Sequence, residues 1–259
     1  MKIDIEELFN EPDPEYQKFH ESTKFQKIVK FRNFKYWPKT WKTIYFKSYP
    51  RFEEILLPKP KMPSVTLKKA LFDRKSERNF SQEPINLKSL SSLLYFSAGL
   101  RKRDGDQAGN RFYPSGGARY PLEVYVLSLN SDVPKGIYHY YLKSSSLEKI
   151  GEIDQFKCEE YFLYDWVKNA SCLIIVTAVF SRSTVKYKDK GYIFSLIETG
   201  SLIQNFYLNA QALGLSICAL AGFIEDRLNM LLDIDGKRET VVAVMGMGNK
   251  MKEDELTQG

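Results

Sequence analysis

The segment "CLIIVTAVF", residues 172–180, constrains the fold more than any other stretch of the chain. It is apolar apart from one threonine and shows no polar alternation, the pattern of a strand covered on both faces. Two similar segments follow, "LSICALAGF" and "ETVVAVMGMG". Between them lie "YIFSLIETGSLIQNFYLNAQALG", read as a long helix ended by Gly214, and "EDRLNMLLDI", read as a short one. Strand and helix alternate, so a sheet with helices packed on it is expected, α+β or α/β.

Earlier segments fit the same plan. "LEVYVL" alternates as a half-buried strand does, and "GIYHYYLKSSSLEKIG" reads as a hairpin turning near Lys143 to Ser146. Helical periodicity marks "VTLKKALFDRKS", with Ser64 as cap, and "NLKSLSSLLYFSAG", with Asn86 as cap and Gly99 as stop. A further helix is expected near residues 155–168. "RKRDGDQAGN" reads as a mobile loop. Residues 1–62 form an N-terminal extension with a helix from about Pro14 to Lys30 and a linker broken by Pro58, Pro60 and Pro63. Residues 63–259 form the main domain.

Several functions are disfavoured by what the 259 residues hold. No apolar run approaches the roughly 20 residues of a membrane span, and the start "MKIDIEELFNEPDPEYQ" lacks an apolar signal core. A cytoplasmic protein without membrane association is expected. Cys158, Cys172 and Cys218 are widely spaced, as free thiols are. The net charge of +6 comes from lysines dispersed among acids, which suits a solvated surface. Residues 16–52 interleave 12 aromatics with lysines. Such interleaving serves nucleic-acid stacking or packing, and packing is expected because no stacking-platform motif accompanies it. With only His20 and His139, neither near a nucleophile, histidine-assisted hydrolysis and multi-histidine metal sites lack support. Phosphate-loop and dinucleotide fingerprints are missing too.

Two segments carry chemistry. "DRKSERNF" sets Arg74, Lys75, Ser76 and Arg78 within five residues, a donor set for a phosphate or a solvated helix end. "RFYPSGGARYPLEVYVL" puts Pro114, Ser115, Gly116 and Gly117 before a strand, with Arg119 and Pro121 after them. Glycine lets backbone approach a flat ligand, and it equally suits a tight turn.

Together these segments resemble the SagB-type dehydrogenase branch of the nitroreductase-like flavoproteins. "RKSERNF" is similar to the opening signature "RRSxRxF", and "PSGGARYPLEVY" to the branch's most particular block. "GIYHYYLKSSSLEKI", "KYKDKGYIFSLIETGSLIQNFYLNAQALGL" and "FHESTK" resemble its other blocks in the same order, over roughly residues 18–248. The resemblance implies an α+β nitroreductase-like fold, a central, mostly antiparallel sheet flanked by helices, and an intertwined homodimer. It implies FMN, with Arg74, Lys75, Ser76 and Arg78 on the phosphate and ribityl chain. Pro114, Ser115 and Gly116 would lie along the ring from the other subunit, with Arg119 near the pocket, and Ala221 and Gly222 as a later contact. Lys250 is a weaker phosphate contact by position. Lys186 and Tyr187 of "KYKDKGY" match the branch's acid/base pair. The sequence departs from the branch at Lys188, Lys190 and Ser201. The implied activity is oxidation of azoline rings in a ribosomally made peptide. The alternatives are a nicotinamide-driven reductase of nitroaromatics or quinones, and a non-catalytic binding protein using the basic aromatic N-terminus. A flavin transfers hydride at its own ring, so the protein's task is to bind and orient it.

Overall fold

A computed structural model describes residues 15–24, 34–101 and 109–251. Helix α1 spans Glu15–Thr23 and bends at Lys24, while residues 25–30 of the expected helix lie outside the described set. Most of the loop at 101–110 does too. A single helical turn, α2 (Lys39–Lys42), precedes strand β1 (Glu54–Leu56). The extension therefore supplies an edge strand of the main sheet. Helix α3 (Leu67–Asp73) is capped by Thr66, two residues beyond the expected Ser64, because Thr66 Oγ1 accepts from the Lys69 N–H. Helix α4 (Leu87–Ala98) is capped by Asn86 and closes at Gly99, as its sequence predicts.

The remaining elements run β2 (Leu122–Ser128), β3 (Gly136–Tyr141), β4 (Ser146–Gly151), β5 (Cys172–Val179), α5 (Ser181–Tyr187), α6 (Lys190–Leu213), β6 (Leu215–Leu220), α7 (Glu225–Leu231) and β7 (Glu239–Asn249). The seven strands form one sheet in the order β1-β4-β3-β2-β5-β7-β6, with every pairing antiparallel. This is the α+β architecture expected.

Alternate residues feed two cores. Val124, Val126, Ile174 and Val176 face α4 and α6, meeting Leu90, Leu94, Phe206 and Ala210. Tyr125, Leu127, Leu173 and Ile175 face the other way, toward Phe162, Val167 and Leu228. Burial on both faces explains why β5 tolerates almost no polar residue. Gly214 ends α6 in the left-handed conformation at φ 72°, where a Cβ is disfavoured.

The helix expected near 155–168 is replaced by two short 3₁₀ turns, Cys158–Glu160 and Asp165–Asn169. Between them, Leu163 N–H donates to the Gly222 carbonyl and Ile224 N–H to the Tyr161 carbonyl. Those backbone groups are spent on a neighbouring segment, so the helical ladder cannot pass through them.

Candidate active site

The loop before β2 is tightly wound. Ser115 Oγ accepts from the Tyr120 N–H at 2.8 Å, and the Ala118 N–H bonds the Ser115 carbonyl at 3.0 Å. Gly117 (φ 63°), Ala118 (54°) and Tyr120 (47°) all take positive φ, which strains the two residues with side chains. Pro114 and Gly116 remain exposed, and Gly116 lies over the Phe194 ring of α6.

The end of α5 closes onto this loop. A Cβ on Gly117 would collide with the Tyr187 hydroxyl and stand 2.7 Å from Lys186 Nζ, so only glycine fits. Lys186 is buried at 8 % exposure and has no carboxylate partner among the described residues. Its Nζ sits 3.7 Å from the centre of the Trp37 ring and 5.1 Å from that of Tyr187. Burial, and then the charge of Arg119, holds the Lys186 ammonium below its usual range. Burial raises the Tyr187 phenol, against Arg119.

Arg119 sits behind this pair rather than in an open pocket. At 1 % exposure its Nε donates to the Arg182 carbonyl at 2.7 Å, Nη1 to Trp41 at 2.6 Å and Nη2 to Thr40 at 3.0 Å. Its guanidinium ties the glycine loop to α5 and to the segment around α2. Arg182 in turn pairs with Glu123 at 2.6 Å, and Glu123 meets His139, which also bonds Glu148. Burial alone would raise the Glu123 carboxyl, but Arg182 and His139 outweigh it and bring it to about 2.

Beneath the loop lies a group that sequence reading did not single out. Glu198 of α6 is buried at 3 %, and its Oε1 has no hydrogen-bond partner. Burial pushes its carboxyl up to about 8, only partly opposed by Ser115 and Arg111. Burial favours its neutral acid form, and its place in a helical apolar run gave no hint of that.

The basic cluster stands elsewhere, beside β6. The Glu77 N–H bonds the Ile217 carbonyl, holding the segment against that strand. Arg74 stacks over the Tyr207 ring at 5.4 Å, and Ser76 Oγ shares a 3.0 Å hydrogen bond with the Tyr207 hydroxyl. Lys75 and Lys250 both pair with Glu77, at 3.1 and 3.5 Å. Arg78 is exposed and has no ion pair among the described residues. Two guanidiniums and a hydroxyl near solvent fit a phosphate chemically. Ala221 and Gly222 follow β6, where Ala221 is exposed, and Gly222 is buried where a Cβ would meet Tyr164 at 2.7 Å.

The two groups of residues touch opposite parts of α6. The loop packs on Phe194 and the cluster on Tyr207, 13 residues further on and so about 20 Å along the axis. One chain thus carries a glycine loop with a lysine–tyrosine pair at one place and a phosphate-type donor set at another.

Comparison with known proteins shows which class of protein this fold belongs to. The nitroreductase family matches residues 71–249, and the chain belongs to that family. It is 29 % identical over 198 residues to MJ1384 of Methanocaldococcus jannaschii, named as a candidate nitroreductase, covering 74 % of this chain and 96 % of that one. It is 28 % identical over 152 residues to the microcin B17-processing protein McbC of Escherichia coli, covering 54 % of each. A nitroreductase-type structure from Ralstonia eutropha superposes with a TM-score of 0.65 at 25 % identity, over 77 % of this chain and 90 % of that one. The Escherichia coli microcin synthetase complex McbBCD, with truncated pro-MccB17 bound, shares the fold at a TM-score of 0.56 and 21 % identity, over 97 % and 99 % of the two chains. The protein is an oxidoreductase of this family, which generally uses flavin. Among the described residues no helix is long and apolar enough to cross a membrane.

Proposed function

We propose that the protein is an FMN-dependent dehydrogenase of the SagB type, oxidising azoline rings to azoles in a ribosomally made peptide in the cytoplasm. FMN, when bound, supplies the hydride acceptor. The ring loses a hydride and a proton, and Lys186 takes the proton from the carbon adjacent to the departing hydride. Tyr187, its phenol kept protonated, orients the ring by donating a hydrogen bond. Arg74, Lys75, Ser76 and Arg78 hold the phosphate, with Ala221 and Gly222 nearby. Pro114, Ser115 and Gly116 cover the ring from a second copy of the chain, and Arg119 supports them.

One observation carries this reading. A lysine buried without a carboxylate, lowered in basicity and set against Tyr187 at an exposed glycine loop, is placed to act as a base. The likeness to McbC, a microcin B17-processing protein, supports a peptide substrate. The spacing of the two groups along α6 supports a site completed across a homodimer, as does exposed apolar surface at Leu196, Ile197 and Phe72.

Anaerobic stopped-flow of purified, yellow protein tests the reading. Lys186→Ala and Tyr187→Phe should keep the FMN spectrum yet slow flavin reduction by an azoline peptide about 10²-fold or more. The two losses should not add. NADPH passes hydride directly, so a nicotinamide-driven reductase would ignore Lys186→Ala. Full-speed reduction by the azoline peptide in both variants would remove the pair from catalysis.

A further inference from the structure

A lysine with no anionic partner ordinarily extends into water, and something must keep Lys186 from doing so. The covering residues come from the segment Trp37–Lys42, which lies outside the matched family region of 71–249. The Trp37 ring is 3.7 Å from Nζ. Trp41 stands edge-on to Trp37 at 6.0 Å, and its indole N–H donates to the Val185 carbonyl at 3.1 Å. Arg119 holds the carbonyls of Thr40 and Trp41 from below. The segment is thus fastened both to α5 and to the glycine loop, and Trp37 is presented to Lys186 by those fastenings.

We propose that Trp37 is a positioning residue for Lys186: its indole face holds Nζ against Tyr187 above Gly117 and shuts out water, so that the N-terminal segment completes the base site. This rests on the reading of Lys186 as the base. Two influences of the ring oppose each other, since a π face favours an ammonium and the burial it causes disfavours one. Titratable groups on and beside the packed elements are Arg119, Arg182 and Tyr187, the exposed Lys39 and Lys42 of α2, the exposed Lys188 and Asp189 between α5 and α6, and Lys190, Tyr192 and Glu198 of α6. Cations predominate, and Lys186 basicity is lowered on balance, so burial and like charge prevail.

The test uses FMN-loaded full-length protein carrying Trp37→Ala, Trp37→Gln or Trp37→Phe, with Lys186→Ala as reference. In wild type the acid limb of kcat/KM for an azoline peptide reports Lys186. Water admitted by Trp37→Ala or Trp37→Gln should move that limb to higher pH by about one unit, about a tenfold loss at pH 7. Trp37→Phe should restore it. Independently of turnover, the ¹³C-methylated Lys186 resonance, assigned by its loss in Lys186→Arg, should titrate later in the Ala and Gln variants and normally in Phe. An unmoved limb and an unmoved resonance in both Ala and Gln would overturn the role of Trp37. If Lys186→Ala turns over at full speed while the resonance still shifts, the contact stands and the catalytic reading falls.

Discussion

The two ends of α6 carry opposite kinds of site. Near Phe194 Lys186 and Arg119 are closed in beneath a loop whose Pro114 and Gly116 stay exposed, and the Arg119 donors are spent inside the chain. Near Tyr207 the basic residues stand open, and Arg78 is exposed with no ion pair among the described residues. The contrast teaches a division of labour. A group that must hold one protonation state is best kept dry and fixed, whereas a group that only holds an anion works from the surface until the anion arrives.

The sharpest way to break the contrast is Arg119→Ala. The carbonyls of Arg182, Trp41 and Thr40 would lose the donor they share, so we expect a stability loss of about 3 kcal/mol, read from the denaturant midpoint. Gly117→Ala comes next, at about 1–3 kcal/mol, from the positive φ and the collision with Tyr187. Adding Tyr187→Phe should recover part of that loss, because the clashing hydroxyl goes.

Glu198→Gln sharpens the contrast through pH. A carboxyl raised from 4.5 to about 8 on folding binds its proton more tightly in the native state. Wild-type stability should therefore fall as pH rises from about 4.5 to about 8, and the glutamine variant should lack this slope. At pH 9 the variant should be the more stable by on the order of 2 kcal/mol, measured by thermal or urea unfolding. The smallest effect on stability belongs to Arg78→Ala, within about 0.5 kcal/mol for an exposed side chain. Its FMN affinity should nevertheless fall by about 1.5–3 kcal/mol, measured by flavin fluorescence titration.

The difference between the two ends also governs what was legible in the sequence. The strands were readable because burial on both faces leaves an unbroken apolar run at Cys172–Val179, and α4 and α6 because Asn86 and Gly214 mark their limits. The turns at 158–169 were not, since their shape depends on bonds to Gly222 and Ile224, distant in the chain. Short-range spacing drew attention to Arg74, Lys75, Ser76 and Arg78. Trp37 and Glu198 carried no local signal, because a tryptophan in an aromatic segment and a glutamate in a helix gain meaning only from what packs on them. Arg119 was noticed for its place after the glycines, but its contacts with Thr40, Trp41 and Arg182 cross the fold.

The central claim is that the two ends form one site only when two copies of the chain meet. Mixed dimers test it directly, made from one chain with Arg74→Ala and Arg78→Ala and another with Lys186→Ala, assayed at limiting FMN with an azoline peptide. Each parent dimer should be nearly inactive. A mixed dimer places an intact cluster from one chain against an intact lysine from the other, so activity should return to about half that of wild type per mixed dimer. Mixtures no more active than their parents, in which mixed dimers are demonstrably formed, would contradict the claim.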